Sequence, residues 1–462
     1  MLSNREKLSY GVGALGKDLA CSIVMLYIMF YLTDIMGISP LFVGNIMFIA
    51  RFWDAINDTL MGVVVDNTRS RWGKFRPWIL VGTIINAITI ILLFRDPGLT
   101  GNAKALYFGI MYILWGMTYT IMDIPYWSML PSLSTNPEER NKIAVIPRIF
   151  ASLAWLIMGA GGLLLIDKLG NAEGLEGAEK IAAQAQGYEY FAVIIAAVFM
   201  ITSVITILNV KERGGSDAQP ASEKVTFKKA LRIIKGNDQL IAFVGIVLAY
   251  NLISQLTGGV ALYYFKYVIG NEGLFSVYQG FSGVAEIAGL LVFPLLAQRI
   301  SRTKVYGLAC TLPIFGFLGL FISGIVAPES AILIGVSGIV FKLGSGLALG
   351  ASTVMLADVV DYGEYKMNTR NESIVFSIQT MLVKFASAIS GYIIGVGLTV
   401  IGFVPNTTPS ETTVLGLRFL MIGVPIILAI LSFVLFYKFF KIRGAFHATI
   451  LKELEQRREA QA

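Results

Sequence analysis

Residues 112–131 read YILWGMTYTIMDIPYWSMLP. These twenty residues carry a single charge, Asp123, and twenty apolar residues are about what a helix needs to cross a bilayer core of roughly 30 Å. Working outward, similar runs follow at 10–36, 41–65, 78–95, 105–131, 145–166, 188–209, 240–268, 275–297, 304–326, 331–357, 373–403 and 413–440. The 462-residue chain is 55% hydrophobic and 15% charged, against about a quarter charged in soluble domains. These features predict an all-α membrane protein of about twelve transmembrane helices, with no room for a sizeable soluble domain.

The charge pattern sets the organisation. Arg69, Arg71, Lys74 and Arg76 fall between the second and third runs, and Arg299, Arg302 and Lys304 between the eighth and ninth. Loops on the other face are poor in Lys and Arg, so the positive-inside bias puts both termini in the cytoplasm. That bias also accounts for the net charge of +7 without a nucleic-acid partner. The longest polar break, 211–239, has a basic and partly helical end and divides six runs from six. The expected domains are a six-helix half (1–210), a cytoplasmic middle loop (211–239), a second six-helix half (240–441) and a cytoplasmic tail (442–462). Two related halves around a midplane site suit a transporter. A weaker break at 167–188 is expected to face the outside and to carry a short helix. The first run opens with two charges, Lys17 and Asp18, and has no small-residue cleavage pattern, which favours a retained N-terminus over a cleaved signal.

Catalysis finds little support. Cys21 and Cys310 lie inside apolar runs in opposite halves, and His447, the only histidine, lies in the tail. No imidazole is therefore available for base catalysis or a membrane proton relay, so any proton coupling must use carboxylates. No phosphate-binding motif suggests a membrane enzyme acting on a lipid-linked sugar, and a passive channel has no use for paired intramembrane aspartates.

Ionisable groups within the runs cost roughly 2.5–3.5 kcal/mol each on insertion scales, so each needs a reason. Asp54 and Asp58 are one helical turn apart. Two carboxylates so placed repel unless a cation or proton lies between them; hard monovalent cations prefer oxygen ligands, and desolvation favours protonation. Neighbouring Asn57 offers an amide oxygen. In the fourth run Gly116, Thr120, Asp123 and Trp127 fall at spacings of four, three and four, which makes one polar and aromatic face. Such a face suits a sugar, because carboxylates accept from hydroxyls and an indole covers the C–H side of the ring. Arg148 is equally readable as a fork to hydroxyls, Asp18 or Asp123 and as a lipid-facing arginine at a run's start.

Together KLSYGVGALGKD (7–18), ARFWDAINDTLMG (50–62), TRSRWGKFRPWIL (68–80), the fourth run and DVVDYGEYK (358–366) resemble the melibiose-carrier branch of the glycoside–pentoside–hexuronide cation symporters, from about residue 7 to the tail. The resemblance implies a major facilitator fold with alternating access in a bacterial inner membrane, and no cofactor beyond a coupling Na⁺, Li⁺ or H⁺. It implies Asp54 and Asp58 as cation ligands, helped by Thr120, the Gly116 backbone and Asn57. It further implies that Lys17, Asp18, Tyr119, Asp123, Trp127 and Arg148 contact a galactoside such as melibiose, and that Lys384 serves the cation and sugar sites.

Three positions depart from that branch. Leu349 replaces a tryptophan facing the sugar cavity, and Glu286 and Lys342 introduce charges into the eighth and tenth runs. The two charges are expected to pair across neighbouring helices. The competing expectation is a cavity-facing Lys342 that binds an anionic sugar, so a hexuronide, a pentoside or another glycoside stays open beside the galactoside.

Overall fold

The computed structural model describes residues 3–134, 137–212, 236–368 and 372–459. Most of the expected middle loop, including its helical end, lies outside the described residues. Twelve helices of spanning length occur among those described. They are α1 (Asn4–Phe30), α2 (Pro40–Asp66), α3 (Arg76–Leu93), α4 (Gly101–Leu133), α5 (Pro137–Gly170) and α6 (Gly177–Asn209), then α7 (Asp238–Tyr263), α8 (Gly273–Ile300), α9 (Arg302–Val326), α10 (Ala331–Met367), α11 (Glu372–Val400) and α12 (Glu411–Phe439). The tail forms α13 (Gly444–Glu459). Among the described residues eleven are long and apolar enough to cross a membrane; α2, which carries Arg51, Asp54 and Asp58, is not one of them. The separate short helix expected in 167–188 does not form. Instead α6 begins at Gly177 and absorbs that segment as its first turns.

One compact unit comprises residues 1–219, 261–280 and 391–417. In it α1 packs on α5 and α6, while α4 packs on α2 and α3. Lipid tails give apolar helices no drive to associate, so backbones must approach closely at small residues. A Cβ at Gly16 would lie 1.8 Å from Thr202 Oγ1, so only glycine fits the α1–α6 contact there. The register of α1 on α4 is fixed by a reciprocal clamp. Tyr10 and Tyr126 stack at 4.6 Å, Tyr10 OH donates to Tyr126 O at 2.8 Å, and Tyr126 OH donates to Tyr10 O at 2.5 Å.

At the far end of α1 the helix widens into a π turn over Tyr31–Ile35, and the end of α7 does so over Tyr264–Ile269. Such turns re-aim side chains. Asp34, fully buried, accepts from Thr33 Oγ1 at 2.9 Å, Lys266 Nζ at 3.2 Å and the Tyr267 hydroxyl. Asn406 Nδ2 donates to the Asp34 carbonyl at 2.6 Å, so three distant chain segments meet on one residue.

The second unit comprises residues 220–260, 281–390 and 418–462. Here α8 crosses α10 at Gly289 and Gly346, where a Cβ on Gly346 would meet the Glu286 carbonyl at 2.1 Å. One turn away the two unexpected charges meet: Lys342 Nζ lies 3.0 Å from Glu286 Oε2. Along α8 Glu286 is rotated roughly 140–180° from the exposed apolar side chains Phe281, Leu291 and Leu295, at 100° per residue, so it points away from the lipid-facing stripe. The glycine crossing brings the backbones close enough for the pair to form. Glu286→Gln and Lys342→Gln should each destabilise the purified protein by about 1–2 kcal/mol. That is less than for a fully buried pair because Glu286 is about a third exposed. The double variant should recover most of the loss in a thermal melt, whereas additive losses contradict the pairing.

Candidate functional site

Lys17 sits in the glycine-lined part of α1, 3% exposed. Its ammonium lies 3.0 Å from Asp18 Oδ2 and 2.9 Å from Asp123 Oδ1 on α4, with the Tyr119 hydroxyl at 3.4 Å. It also faces the rings of Trp127 at 5.1 Å and Tyr126 at 5.6 Å, so aromatic quadrupoles add to the carboxylate field. The ammonium pairs with both carboxylates at hydrogen-bond distance, and each carboxylate has further lone pairs with which to accept from a ligand. Two carboxylates and one ammonium leave a net charge of −1. Acceptors, one donor and an indole face thus converge within a single helix pair, a set suited to hydroxyls on a ring.

The other half of the α4 stripe meets α2. Thr120 Oγ1 donates to Asp58 Oδ1 at 3.0 Å, and Asn57 Nδ2 donates to the Met117 carbonyl at 3.3 Å. Asp54 lies against Gly116, where a Cβ would stand 2.7 Å from its Oδ1. That oxygen is buried with no hydrogen bond among the described residues. The other oxygen is held by Arg51 Nη1 at 2.8 Å. Arg51 in turn reaches Tyr112 OH at 3.2 Å and stacks over Trp115 at 5.8 Å. Asp54, Asp58, Asn57 and Thr120 bring hard oxygen donors to one side of α4, the donor set a small monovalent cation prefers.

The structure therefore gathers Lys17, Asp18, Tyr119, Asp123 and Trp127 in one cluster and Asp54, Asp58, Asn57, Gly116 and Thr120 in another, both on α4. Arg148 is not drawn in: it is exposed on α5 and forms no ion pair with Asp18 or Asp123. Lys384 lies half-buried on α11 in the second unit. Arg51 was missed by sequence reasoning although it stands three residues before Asp54 in ARFWD, the spacing of one helical turn. Asp34 and Lys266 were also missed. They lie at the ends of apolar runs, where charges are ordinary, and nothing local marks them.

Comparison with known proteins decides the family. The profile described as MFS/sugar transport protein matches residues 9–444. The chain belongs to this family. It is thus a multi-pass transporter, not an enzyme. Among its relatives, an isoprimeverose transporter of Lactiplantibacillus pentosus is 32% identical over 98% of this chain and 91% of that protein. A lactose permease of Lactobacillus helveticus is 28% identical over 99% of this chain and 73% of its own length. A raffinose carrier protein of Pediococcus pentosaceus is 26% identical over 97% of this chain and 71% of its own length. Among solved structures, a D-xylose–proton symporter superposes with a TM-score of 0.65 at 12% identity, covering 95% of this chain and 98% of that one. This likeness shows the major facilitator fold shared by members of the sugar transport family.

The contact between Gly116 and Asp54 gives a sharp test. A methyl group there displaces a flexible carboxylate end and not backbone, so Gly116→Ala should fold with near-native thermal stability. Its cation stimulation of sugar binding should weaken by about tenfold, or ~1.4 kcal/mol. Unchanged stimulation in the folded variant separates Asp54 from the cation.

Proposed function

We propose that the chain is a symporter that couples uptake of an uncharged glycoside to Na⁺, Li⁺ or H⁺ by alternating access. The observation that carries this reading is the double use of α4. One side meets the Lys17–Asp18–Asp123 cluster under Trp127, and the other meets Asp54 and Asp58. Hydroxyl acceptors and an indole face serve the sugar, and hard oxygens serve the cation.

A coupling cation must compete with Arg51 for Asp54. It gains the acceptor capacity that Arg51 leaves on Oδ1, while Thr120 already orients Asp58. A helix that touches both ligands lets each change the other's affinity, and linkage makes that change reciprocal. One cation moving down 100 mV contributes about 2.3 kcal/mol to uptake before its concentration gradient is counted.

For substrate, relatives named for isoprimeverose, lactose and raffinose support an uncharged glycoside, a group that includes a melibiose-like galactoside, although another relative is named as a putative importer of the anionic sugar sulfoquinovose. The Glu286–Lys342 pair supports the same choice, since a lysine already neutralised is a poor anchor for a hexuronate. The membrane is a bacterial inner membrane with both termini on the cytoplasmic side, as the basic loops favour. Each six-helix half, 1–210 and 240–441, is one repeat of the rocking fold.

Counterflow in vesicles is the direct test. Radiolabelled isoprimeverose, melibiose, raffinose and a hexuronide are compared under sodium, lithium and proton gradients. An uncharged glycoside should exchange best with one of the three cations stimulating it, and preference for the hexuronide contradicts the substrate class. Asp54→Cys and Asp58→Cys should abolish cation-stimulated uptake while some sugar binding survives. Asp123→Ala and Trp127→Ala should lose sugar binding by about a hundredfold or more, equivalent to ~2.7 kcal/mol. Wild-type cation stimulation in both cysteine variants, or wild-type sugar affinity in both alanine variants, refutes the corresponding site.

A further inference from the structure

The second unit holds a cavity of about 280 Å³ at the ends of α8, α9 and α12, beneath the start of α13. Its lining changes character along its depth. The floor is apolar and aromatic, with Phe293, Tyr306, Met355 and Phe436; the rim carries Ser301, Arg302, Arg443 and His447. The apolar spans stop at this rim, α8 at Ile300 and α12 at Phe439, and α9 starts there at Arg302. Span ends of this kind fall near the level of lipid phosphates, which would set the floor where acyl chains begin.

Charge at the rim is unbalanced. Asp358 is the one acidic side chain in the lining, and it is shared by Arg302 Nη1 at 3.4 Å and His447 Nε2 at 3.1 Å. Arg443 has no carboxylate partner among the described residues. It donates to the Tyr437 carbonyl at 2.9 Å and stacks over Phe436 and Tyr437 at 5.5 and 5.6 Å, which holds it over the aromatic floor with donors left over. The first turn of α9 opens here with no side-chain cap, so its amides add partial positive charge.

We propose that this pocket binds the phosphodiester headgroup of an anionic phospholipid, with Arg302 and Arg443 on the phosphate and the glycerol and upper acyl carbons on the aromatic floor. Basic pockets between transmembrane helices at a leaflet boundary take such headgroups. The tail helix covers the site. Its Ile450 and Leu454 are buried, and Arg457 Nη1 donates to the Tyr365 carbonyl at 3.1 Å and to Asn368 Oδ1 at 2.7 Å. A lipid seated here consequently ties α13 to α9 and α12.

The full-length protein is reconstituted in bilayers containing phosphatidylglycerol and phosphatidylcholine, and the lipids it retains are counted by native mass spectrometry. The wild type should retain phosphatidylglycerol selectively. Arg443→Gln, which leaves the Asp358 pair intact, should lose about fivefold of that selectivity, and Arg302→Gln with Arg443→Gln about 25-fold. Arg443→Lys should keep most of it. Equal selectivity in the wild type and in both glutamine variants overturns the assignment. So does protection of these arginines by millimolar inorganic phosphate without any preference for phosphatidylglycerol, which assigns the pocket to a soluble phosphate instead.

Discussion

An ammonium that water barely reaches has to be neutralised by the protein, and Lys17 is neutralised by carboxylates from two helices, Asp18 on α1 and Asp123 on α4. Much of the first unit serves that contact. Gly13 and Gly16 let α1 settle on Thr202 and Thr206 of α6, and the Tyr10–Tyr126 clamp sets the α1–α4 register. A register slip of one residue would turn Asp123 by about 100° and strand the charge, a cost far above that of an exposed pair. The need to keep Lys17 paired is thus a constraint on helix packing as much as a feature of a binding site.

Neutralisation also divides the labour on α4. Asp123 answers to Lys17, while Gly116 and Thr120, two turns and one turn earlier, answer to Asp54 and Asp58. The α2 carboxylates solve their own charge problem differently, with Arg51 from the same helix on Asp54 and a hydroxyl on Asp58. In the proposed coupling, a small cation that took over part of that neutralisation would shift Asp54 or Arg51. Gly116 stands against Asp54 with no side chain to absorb the shift, so α4 feels it. Packed side chains on α2 and α4 thus connect the two clusters without a gap.

Helix number and most boundaries were legible because a bilayer imposes a length and an apolarity that few soluble segments reach. Even α2, which carries Arg51, Asp54 and Asp58, was visible ahead of the basic loop at 69–76. Asp54, Asp58 and Asp123 were legible for the complementary reason that charge is costly inside such runs. Arg51 was in plain view in ARFWD, but the two aspartates four apart drew the reading away from the arginine three before them. The extension of α6 back to Gly177 was hidden because Gly, Ala and Glu in 171–188 look like a loop, whereas Ala, Glu and Gln also propagate helix well once a span nucleates it. The Asp34 hub joins residues more than two hundred positions apart, and no local pattern encodes such a meeting. The Glu286–Lys342 pair was legible only as an energetic necessity; the Gly289–Gly346 crossing supplied the proximity.

The most direct test of the account is thermodynamic linkage measured on the purified chain by calorimetry. The glycoside that exchanges best is titrated with and without the stimulating cation, and that cation is titrated with and without the glycoside. Each ligand should tighten the other by the same factor, about 5–150-fold. Glycoside affinity that stays the same with sodium, with lithium and across pH would contradict a coupling carried by α4.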